Sequence, residues 1–313
     1  MFSVFIDGQA GTAGLQLKRR LEGHPHVKLL EIDERDRKDD IARARLMARA
    51  DVVFLCLPDD EARKAVKLVP SPDKIVIDTS TAHRVNPDWA YGFSELSETH
   101  RAAIASKKLI ANPGCHATGF ISIAYPLVKL GLLPADYAFS CHSITGYSGG
   151  GKKMIAQYED AGRDEFLSSP RQYALSQAHK HLPEMTAIPG LTQSPIFNPI
   201  VCDFYSGMAV SVPLNTRGLN LTADGIRRSL EDFYAGSELI EVEKAPDDGF
   251  IPANLLSGRD GMKIFVCGND ERITVTSVFD NLGKGAAGAA VQNMNIALGL
   301  DERLALRTGE ENK

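Results

Sequence analysis

An alternation of strand-like and helix-like segments through the first third of the chain is the feature that most constrains the fold. Ser3 to Ile6 is a short β-rich run, Gly11 to Leu21 has apolar residues at helical spacing, and Val27 to Ile32 is strand-like again. The alternation continues through helix-like residues 41–50 and 60–69 and strand-like residues 51–57 and 74–78. This order predicts βαβ units, and the nearly continuous apolar strands are typical of a parallel sheet covered on both faces.

The rest of the chain has several strand-like segments with few helices between them. The strand candidates are residues 138–144, 208–213, 239–242, 263–267 and 272–279. Apolar residues at helical spacing predict helices over residues 117–130, 222–234 and 285–298, and the four glycines of residues 146–151 predict a tight loop. The pattern predicts a second, α+β domain with a mixed or antiparallel sheet that begins near Cys115.

Composition and charge exclude several classes of protein. Hydrophobic residues make up 43% and charged residues 24% of the 313, which is the balance of an ordinary globular protein. A net charge of −5 lacks the excess of Lys and Arg that a nucleic-acid surface requires. No apolar stretch reaches the roughly 18 residues of a membrane span, and the chain starts without a basic leader. We therefore expect a cytoplasmic protein that binds neither nucleic acid nor membranes.

The cysteines indicate reduced thiols. There are five of them, an odd number, widely spaced and without a Cys-x-x-Cys pair. Four lie in apolar strand-like stretches, where cysteine acts as a small hydrophobic residue. These four are Cys56, Cys141, Cys202 and Cys267. The fifth, Cys115, has a different sequence environment.

Three glycines follow the first strand at every third position and open the first predicted helix. They are Gly8, Gly11 and Gly14, with Thr12 and Ala13 between the last two. Such a turn exposes amide N–H groups at a helix N-terminus, where they can hold a pyrophosphate. The spacing differs from the commoner Gly-x-Gly-x-x-Gly, and a glycine turn that serves packing alone is the alternative.

Basic residues follow the second strand, where dinucleotide-binding enzymes distinguish their cofactors. The strand ends at Asp33, and Arg35, Arg37 and Lys38 come directly after it. A guanidinium can hold a 2′-phosphate through paired hydrogen bonds, which favours NADP over NAD. Because acidic residues are interspersed with these cations, a solvated charged loop is the alternative.

Cys115 follows an Asn-Pro-Gly turn and directly precedes a predicted helix. Backbone N–H groups and the helix dipole stabilise a thiolate in such a position and lower the pKa of the thiol. A thiolate can attack an acyl phosphate, expel phosphate and leave a thioester. A buried structural cysteine is the alternative interpretation.

The segment His179-Lys180-His181-Leu182-Pro183-Glu184 supplies two imidazoles and a carboxylate within six residues. Histidine is suited to proton transfer at neutral pH, and a carboxylate can orient it. Metal binding is a competing interpretation, but His-x-His alone lacks a complete ligand set. A surface loop with incidental histidines is the third. His116 and His142 are expected to be structural.

Three segments together resemble the N-acetyl-γ-glutamyl-phosphate reductase family, within the aspartate-semialdehyde dehydrogenase-like superfamily. They are the glycine turn at residues 8–14, Asn-Pro-Gly-Cys-His-Ala-Thr-Gly at 112–119 and the histidine segment at 179–184. Residues 280–293 also resemble the family's C-terminal segment, which returns to the nucleotide domain. The likeness covers the whole chain and indicates the shorter subfamily. Longer members carry Asp-x-Ser-Ala-Asp-Phe-Arg where this chain has residues 78–84, so the roles of Ser80 and Arg84 stay open.

The resemblance implies an NADP-binding Rossmann domain over residues 1–114, completed by a C-terminal helix at 285–313, and a catalytic and oligomerisation domain over residues 115–284. It implies that Cys115 is the nucleophile and His181 the main acid and base, supported by His179 and Glu184. The expected cofactor-binding residues are Gly8, Gly11, Thr12, Ala13, Gly14, Arg35, Arg37, Lys38, Pro58, Ser80, Asn281 and Gly285. The expected substrate-binding residues are Arg84, Asn112, Ser148, Gly149 and Lys152, and no metal is expected.

The reaction that the resemblance implies is the NADPH-dependent reduction of N-acetyl-L-glutamyl 5-phosphate to the 5-semialdehyde plus phosphate, in arginine biosynthesis, by a homodimer or homotetramer. Aspartate-semialdehyde dehydrogenase and a reductase of carrier-bound aminoadipyl phosphate are the enzymatic alternatives. The histidine segment favours the glutamyl enzyme. A non-catalytic NADP-binding regulator is the alternative from another class, and the presence of Cys115 together with His181 argues against it.

Overall fold

The computed structural model describes residues 1–309, which divide into two compact units. Unit 1 comprises residues 1–114 and 286–307, and unit 2 comprises residues 115–285 with the chain end from Thr308. The expected C-terminal helix over residues 285–313 is much shorter, because the observed helix spans Gly288–Ala297 and residues 298–309 are not helical. Residues 310–313 lie outside the described residues.

The secondary structure follows the predicted order. The strands are β1 (Phe2–Asp7), β2 (Val27–Leu30), β3 (Val52–Leu55), β4 (Ile75–Asp78), β5 (Ala90–Tyr91), β6 (Leu109–Ala111), β7 (Ser140–Gly146), β8 (Arg171–Gln172), β9 (Ile196–Cys202), β10 (Met208–Asn215), β11 (Ile240–Lys244), β12 (Met262–Asn269) and β13 (Arg272–Phe279). The helices are α1 (Thr12–Leu21), α2 (Asp40–Arg49), α3 (Asp59–Val66), α4 (Glu98–Ser106), α5 (Cys115–Lys129), α6 (Gly151–Glu159), α7 (Leu182–Ala187), α8 (Ala223–Tyr234) and α9 (Gly288–Ala297).

Unit 1 is built on a six-stranded sheet in the order β2-β1-β3-β4-β6-β5, and every neighbouring pair is parallel. All residues of β3 and β4 are buried, as expected of strands covered on both faces. Helix α9 belongs to this unit, because Val291 and Met294 pack in the same apolar cluster as Val4 and Phe54. The prediction of a Rossmann-like parallel sheet is confirmed.

Unit 2 is built on a seven-stranded sheet in the order β11-β12-β13-β10-β7-β9-β8. The pairs β11–β12 and β7–β9 are parallel and the others antiparallel, so the predicted mixed sheet is confirmed. Helix α5 approaches the sheet closely at Gly119, where a Cβ atom would lie 2.4 Å from Val210 Cγ2. Glycine at this position therefore lets the helix that begins at Cys115 pack directly on β10.

Several elements depart from the sequence predictions. Helix α5 begins at Cys115, two residues before the predicted start at Ala117. The loop expected at residues 146–151 is a 3₁₀ turn, and residues 283–287 form a π-helical turn before α9. Helices α4, α6 and α7 and strands β5, β6, β8 and β9 were not predicted. No helix within residues 1–309 is long and apolar enough to cross a bilayer.

Candidate active site

A cavity of about 880 Å³ lies in unit 1 where β1 and β3 end. The chain order of the sheet reverses at this point, because β1 stands between β2 and β3. Ligands of open α/β sheets bind at such a switch point, outside the carboxyl ends of the strands. The lining residues are Asp7, Gly8, Gln9, Ala10, Gly11, Leu15, Lys18, Ile32, Glu34, Arg37, Lys38, Asp40, Arg43, Cys56, Leu57, Glu61 and Lys64.

The glycine turn at this cavity needs glycine at two of its three positions. Gly8 has a φ of +86°, and a Cβ atom there would lie 2.3 Å from the carbonyl oxygen of Cys56. A Cβ on Gly14 would lie 2.5 Å from the carbonyl oxygen of Gly8. At Gly11 the nearest such contact is an ordinary 3.4 Å. The first and third glycines therefore let β1, α1 and the end of β3 approach closely, as in a dinucleotide turn.

The start of α1 fits an anionic ligand. Thr12 and Ala13 are the first residues of the helix, whose opening N–H groups have no partners within it, and no acidic side chain lies in the first turn. The Thr12 Oγ1 atom is buried and has no hydrogen-bond partner among residues 1–309. A buried hydroxyl without a partner is uncommon, and a phosphate oxygen is an acceptor of the kind that it lacks.

The three basic residues after β2 occupy different positions. Arg37 and Lys38 line the cavity, whereas Arg35 is not part of its lining. The Arg35 side chain is 82% exposed and pairs with Asp33 at 3.4 Å. Arg37 pairs with Glu34 at 3.3 Å. Pro58, which precedes α3, is also absent from the lining.

A buried ion pair that the sequence did not reveal lies at the same cavity. Arg43 of α2 donates from Nη2 to Asp7 Oδ2 at 2.7 Å and from Nε at 3.1 Å, and both residues are more than nine-tenths buried. Burial raises the pKa of Asp7 even though Arg43 opposes that rise. Asp7 ends β1 directly before Gly8, so this pair fixes the strand end from which the glycine turn departs.

Asn112, which opens the turn before Cys115, is held through its backbone and its side chain within unit 1. Its N–H donates to the Asp78 carbonyl at 2.8 Å, and its carbonyl oxygen accepts from Arg84 Nε at 2.9 Å. Its side-chain amide donates to the Ala286 carbonyl at 3.1 Å and accepts from Asn293 Nδ2 at 3.0 Å. Asn112 is 1% exposed. These bonds fix the residue from which the Asn-Pro-Gly turn starts.

Arg84 and Ser80 are also engaged within unit 1. The guanidinium of Arg84 donates from Nη2 to the Thr79 carbonyl at 2.9 Å, in addition to its bond to Asn112. The Ser80 hydroxyl donates to Asp78 Oδ2 at 2.7 Å, and the same oxygen lies 2.7 Å from His83 Nδ1. Both residues are buried. These contacts organise the segment that follows β4.

Cys115 is the first residue of α5 and is half-buried, so its side chain stands where the unpaired N–H groups of that helix begin. Gly285 packs against it, because a Cβ atom on Gly285 would lie 3.0 Å from Cys115 Cβ. The five cysteines form no disulfide. Burial raises the pKa of each of the other four thiols, in the case of Cys56 to about 12.

Three histidine rings meet in unit 2. The ring centroids of His179 and His181 lie 4.7 Å apart, and that of His116 lies 5.5 Å from His179 and 5.6 Å from His181. The backbone N–H of His181 donates to His179 Nδ1 at 3.1 Å, so that ring nitrogen is an acceptor. His181 precedes α7, and Glu184 in the first turn of that helix is buried. Within residues 1–309, no group of three or more His, Cys, Asp or Glu side chains is arranged so that it could hold a metal ion.

His116, which follows Cys115 in the sequence, connects this cluster to Tyr173. Its Nδ1 lies 2.6 Å from Ser143 Oγ, and its Nε2 lies 2.6 Å from the Tyr173 hydroxyl. Burial, and secondarily His179, lowers the pKa of His116 to about 3, so its ring is neutral at neutral pH. Burial also raises the pKa of Tyr173, and the charge of Cys115 adds to this rise. The phenol therefore lies within electrostatic reach of the sulfur.

The remaining predicted residues of unit 2 lie around the 3₁₀ turn after β7. Asn281 donates from Nδ2 to Ser148 Oγ at 3.0 Å and accepts from the Gly207 N–H at 2.9 Å. Gly149 is next to this pair, since a Cβ atom there would lie 3.5 Å from Asn281 Nδ2. Lys152, near the start of α6, is exposed. Asn281 thus ties the end of β13 to the turn that carries Ser148.

Two family models match the chain, one on each side of Cys115. Residues 3–105 match the semialdehyde dehydrogenase NAD binding domain, and residues 115–281 match the semialdehyde dehydrogenase dimerisation domain. The curated N-acetyl-gamma-glutamyl-phosphate reductase of Brucella anthropi is 46% identical over 305 residues, which cover 95% of this chain and 98% of that protein. The reductase of Brucella ovis is 44% identical over the same coverage.

This chain belongs to the N-acetyl-gamma-glutamyl-phosphate reductase family. Solved structures share the fold of this reductase family member at lower identity. A probable aspartate-semialdehyde dehydrogenase from Pseudomonas aeruginosa aligns with a TM-score of 0.71 and 15% identity, over 95% of this chain and 98% of that one. Aspartate semialdehyde dehydrogenase II from Vibrio cholerae aligns with a TM-score of 0.70 and 17% identity, over 96% and 98%. These likenesses establish the fold.

The sequence analysis of this reductase family member missed Tyr173, Ser143 and the Asp7–Arg43 pair. Ser143 lies on the buried face of β7, and the alternation of Cys141, Ser143 and Thr145 was the signal available for its inward direction. Tyr173 lies six residues before His179 in a segment without a periodic pattern. Nothing in that segment indicated that its hydroxyl would lie beside His116.

Proposed function

We propose that this chain reduces N-acetyl-L-glutamyl 5-phosphate to N-acetyl-L-glutamate 5-semialdehyde and phosphate with NADPH, in arginine biosynthesis. The observation that carries the proposal is that Cys115 begins a buried helix in the same unit as the paired rings of His179 and His181. The 46% identity to a curated reductase over 95% of the chain supports the choice of substrate.

In the biosynthetic direction, the Cys115 thiolate attacks the carbonyl carbon of the acyl phosphate. A carbon–sulfur bond forms, the bond between that carbon and the phosphate oxygen breaks, and phosphate leaves with its electron pair. Backbone N–H groups at the start of α5 stabilise the oxyanion of the tetrahedral intermediate, and removal of one such donor costs about 3 kcal/mol in comparable sites. The product of this half-reaction is a thioester on Cys115.

Bound NADPH supplies the hydride that converts the thioester carbonyl to the aldehyde level. His181 acts as the acid and base, and supplies a proton as the carbon–sulfur bond breaks and the aldehyde leaves. His179 and Glu184 support His181. The backbone N–H of His181 donates to His179 Nδ1, which fixes the orientation of the His179 ring and makes Nδ1 an acceptor. A ring held in this way is suited to orienting its neighbour.

NADPH would be held in unit 1 by the glycine turn and by the basic residues of the cavity. Thr12, Ala13 and Gly14 would hold the pyrophosphate with the opening N–H groups of α1 and the Thr12 hydroxyl. Gly8 and Gly11 would shape the turn, in which the Gly11 N–H donates to the Gly8 carbonyl at 3.0 Å. Arg37 and Lys38 would contact the 2′-phosphate, since both line the cavity. Arg35, Pro58, Ser80, Asn281 and Gly285 stay predictions as cofactor contacts.

The substrate contacts are proposed more narrowly than the sequence suggests. Ser148, Gly149 and Lys152 stay candidates for the acyl phosphate or the α-carboxylate, because Lys152 is exposed and lies beside the turn that carries the other two. Arg84 and Asn112 are engaged with each other, so for them we favour a role in fixing the turn before Cys115.

We also propose that residues 115–284 form the catalytic and oligomerisation domain and residues 1–114 with α9 the NADP domain of a cytoplasmic homodimer or homotetramer. The match of residues 115–281 to a dimerisation domain supports this arrangement. Light scattering on a size-exclusion column measures the mass in solution, and a mass of about 34 kDa, that of one chain, would contradict it.

The assay that tests the function follows the reverse reaction, because the semialdehydes, phosphate and NADP can be supplied separately. We expect phosphate-dependent reduction of NADP with N-acetylglutamate semialdehyde. Turnover with aspartate semialdehyde alone would assign the chain to that dehydrogenase instead. NADPH binding without turnover of either semialdehyde, with Cys115 unreactive toward iodoacetamide, would favour a non-catalytic regulator.

A further inference from the structure

A series of three hydrogen-bonded side chains in unit 2 includes His116, the residue that follows Cys115, and is not explained by the acid and base residues. It runs from Ser143 on β7 through His116 on α5 to Tyr173, and each link is 2.6 Å long. Ser143 is 0% exposed and His116 is 3% exposed. Both links are short, the first is buried and the second is partly buried, so the order of donors and acceptors along the series determines what the phenol at its end can donate.

The direction of the first link follows from the bonding capacity of Ser143. Within residues 1–309, His116 Nδ1 is the hydrogen-bond partner of its hydroxyl, and no second partner is seen. A hydroxyl has one hydrogen and two lone pairs, and a buried hydrogen without an acceptor is rarer in proteins than an unused lone pair. Ser143 therefore donates its hydrogen to His116 Nδ1, which acts as the acceptor.

The second link is then determined as well. A neutral imidazole carries one hydrogen, and when Nδ1 accepts, that hydrogen is on Nε2. Burial keeps His116 neutral, with a pKa lowered to about 3. His116 Nε2 therefore donates to the oxygen of Tyr173, and the phenol hydrogen is not used in this bond. Unlike the fully buried Ser143, Tyr173 is only partly buried, so its hydrogen can be donated to solvent or to a bound group.

The phenol hydrogen is left available on a hydroxyl that lies 2.6 Å from the ring of His116, the residue that follows Cys115. Among the described residues, the hydroxyl of Tyr173 has no hydrogen-bond partner besides His116. Burial, and then the nearby charge of Cys115, raises the pKa of Tyr173, so the phenol stays protonated at neutral pH. A protonated phenol within electrostatic reach of a reacting sulfur is a donor for negative charge that develops on a group bound to that sulfur.

We propose that the Tyr173 hydroxyl donates a hydrogen bond to the carbonyl oxygen of the acyl group on Cys115, and that His116 and Ser143 are positioning residues that hold this donor. The inference rests on the proposed thioester chemistry. Negative charge appears on that oxygen when thiolate, hydride or phosphate adds to the carbonyl carbon. The hydrogen bond from Tyr173 therefore stabilises the tetrahedral oxyanion more than it stabilises the carbonyl group. No bond of Tyr173 is made or broken.

The first test is kinetic. We expect Tyr173→Phe to lower kcat for the phosphate-dependent oxidation of N-acetylglutamate semialdehyde by about 100-fold, as loss of one oxyanion donor does, with KM little changed. Tyr137→Phe is the matched control. The Tyr137 hydroxyl is also hydrogen-bonded in unit 2, to the Asn215 backbone, but it does not belong to the hydrogen-bonded series that ends at Tyr173. A loss of less than about threefold in Tyr173→Phe would overturn the proposal.

The second test separates positioning from packing. Ser143→Ala removes the hydrogen that fixes His116 and should lower kcat about tenfold in the parent, but not in the Tyr173→Phe background. Equal losses in both backgrounds would show that Ser143 acts independently of Tyr173 and would overturn its positioning role. Circular dichroism and thermal unfolding show whether each variant is folded. If Tyr173→Phe does not fold, the Ser143→Ala loss with KM unchanged decides the question.

A third measurement needs no substrate and therefore stands apart from the proposed function. Nitrogen-15 NMR of the imidazoles, with His116 assigned by its loss in His116→Gln, reports which ring nitrogen carries the hydrogen. We expect hydrogen on Nε2, and hydrogen on Nδ1 would overturn the arrangement. Iodoacetamide should still alkylate Cys115 in Tyr173→Phe. If the parent protein fails to turn over the semialdehyde while His116 carries its hydrogen on Nε2, the proposed substrate is wrong. In that case the hydrogen-bond order from Ser143 through His116 to Tyr173 is still supported.

Discussion

Arg84 Nε donates to the carbonyl oxygen of Asn112 at 2.9 Å, and Arg84 thereby holds the residue that opens the turn to the nucleophile. The same guanidinium also donates to the Thr79 carbonyl, so one side chain joins the segment after β4 to the segment after β6. Cys115 follows Asn112 by three residues. Arg84 can therefore affect the position of Cys115 without contacting the substrate.

We predict that Arg84→Ala lowers kcat by about 10- to 100-fold, because a displacement of the nucleophile by about 1 Å costs that much. The KM for phosphate should change little if the guanidinium fixes the turn. A rise in that KM with kcat unchanged would instead show that Arg84 binds phosphate. Lys152→Ala is the comparison, since its exposed ammonium has no role in the turn and is expected to affect KM.

Substitution of Gly8 by alanine should abolish NADPH binding and lower the melting temperature. The added Cβ would lie 2.3 Å from the Cys56 carbonyl oxygen at a φ of +86°, so the turn must shift or strain. Gly11→Ala is the control, because its nearest such contact is 3.4 Å. Fluorescence titration with NADPH and thermal unfolding measure both effects. Equal behaviour of the two variants would contradict this account of the turn.

Cofactor choice should depend on Arg37 and Lys38. We expect Arg37→Ser to raise the KM for NADP about 10- to 100-fold and to leave the KM for NAD nearly unchanged, because a charge-assisted hydrogen bond contributes about 1.5–3 kcal/mol. Arg35→Ser is the matched control, since Arg35 is 82% exposed and is not part of the cavity lining. Steady-state kinetics with both nucleotides distinguish the two. A larger rise in the KM for NADP in Arg35→Ser than in Arg37→Ser would show that Arg35 is the residue that contacts the 2′-phosphate.

Stability should fall as the pH is lowered from about 6.5 toward 3, in part because of His116. Burial lowers its pKa in the folded chain to about 3 from the ordinary value of 6.5, so below pH 6.5 the unfolded chain binds a proton that the native chain does not. The contribution of His116 to the free energy of unfolding is fully present above pH 6.5 and is lost progressively as the pH falls below 6.5. His24, whose pKa burial also lowers, contributes with the same sign.

His116→Gln is therefore expected to have a shallower dependence of the unfolding free energy on pH across this interval. Urea unfolding at several pH values between 4 and 7 measures the slope directly. The comparison is between slopes and not between absolute stabilities, because the variant also loses its hydrogen bonds to Ser143 and Tyr173. An unchanged slope would mean that His116 is charged or exposed in the native protein.

Much of the fold could be predicted because its signals are local. The apolar runs of β1, β3 and β4 and the glycine turn before α1 depend on residues close in the sequence, and the parallel sheet followed from them. Strand β9 was missed because it contains Pro199, which is unusual inside a sheet, and α6 because it starts in a glycine-rich segment.

Parts of the candidate site could not be predicted, because they depend on contacts between distant segments. Cys115 and the paired histidines were recognisable from their own neighbours. The positions of Ser143 and Tyr173 on either side of His116, and of Asn293 against Asn112, arise only when separate elements come together. No pattern in the sequence indicated which of Arg35 and Arg37 would face the cavity, since both follow the same strand.

The measurement that tests the thioester most directly is a rapid mix of the enzyme with N-acetylglutamate semialdehyde and NADP in the absence of phosphate. Without phosphate the acyl group cannot leave, so we predict a burst of one NADPH per chain and an acyl adduct on the peptide that contains Cys115. Cys115→Ala should give neither and still bind NADP, while Cys202→Ala, which changes a cysteine on β9, should behave as the parent. A full burst in Cys115→Ala, or an adduct on another residue, would contradict the account.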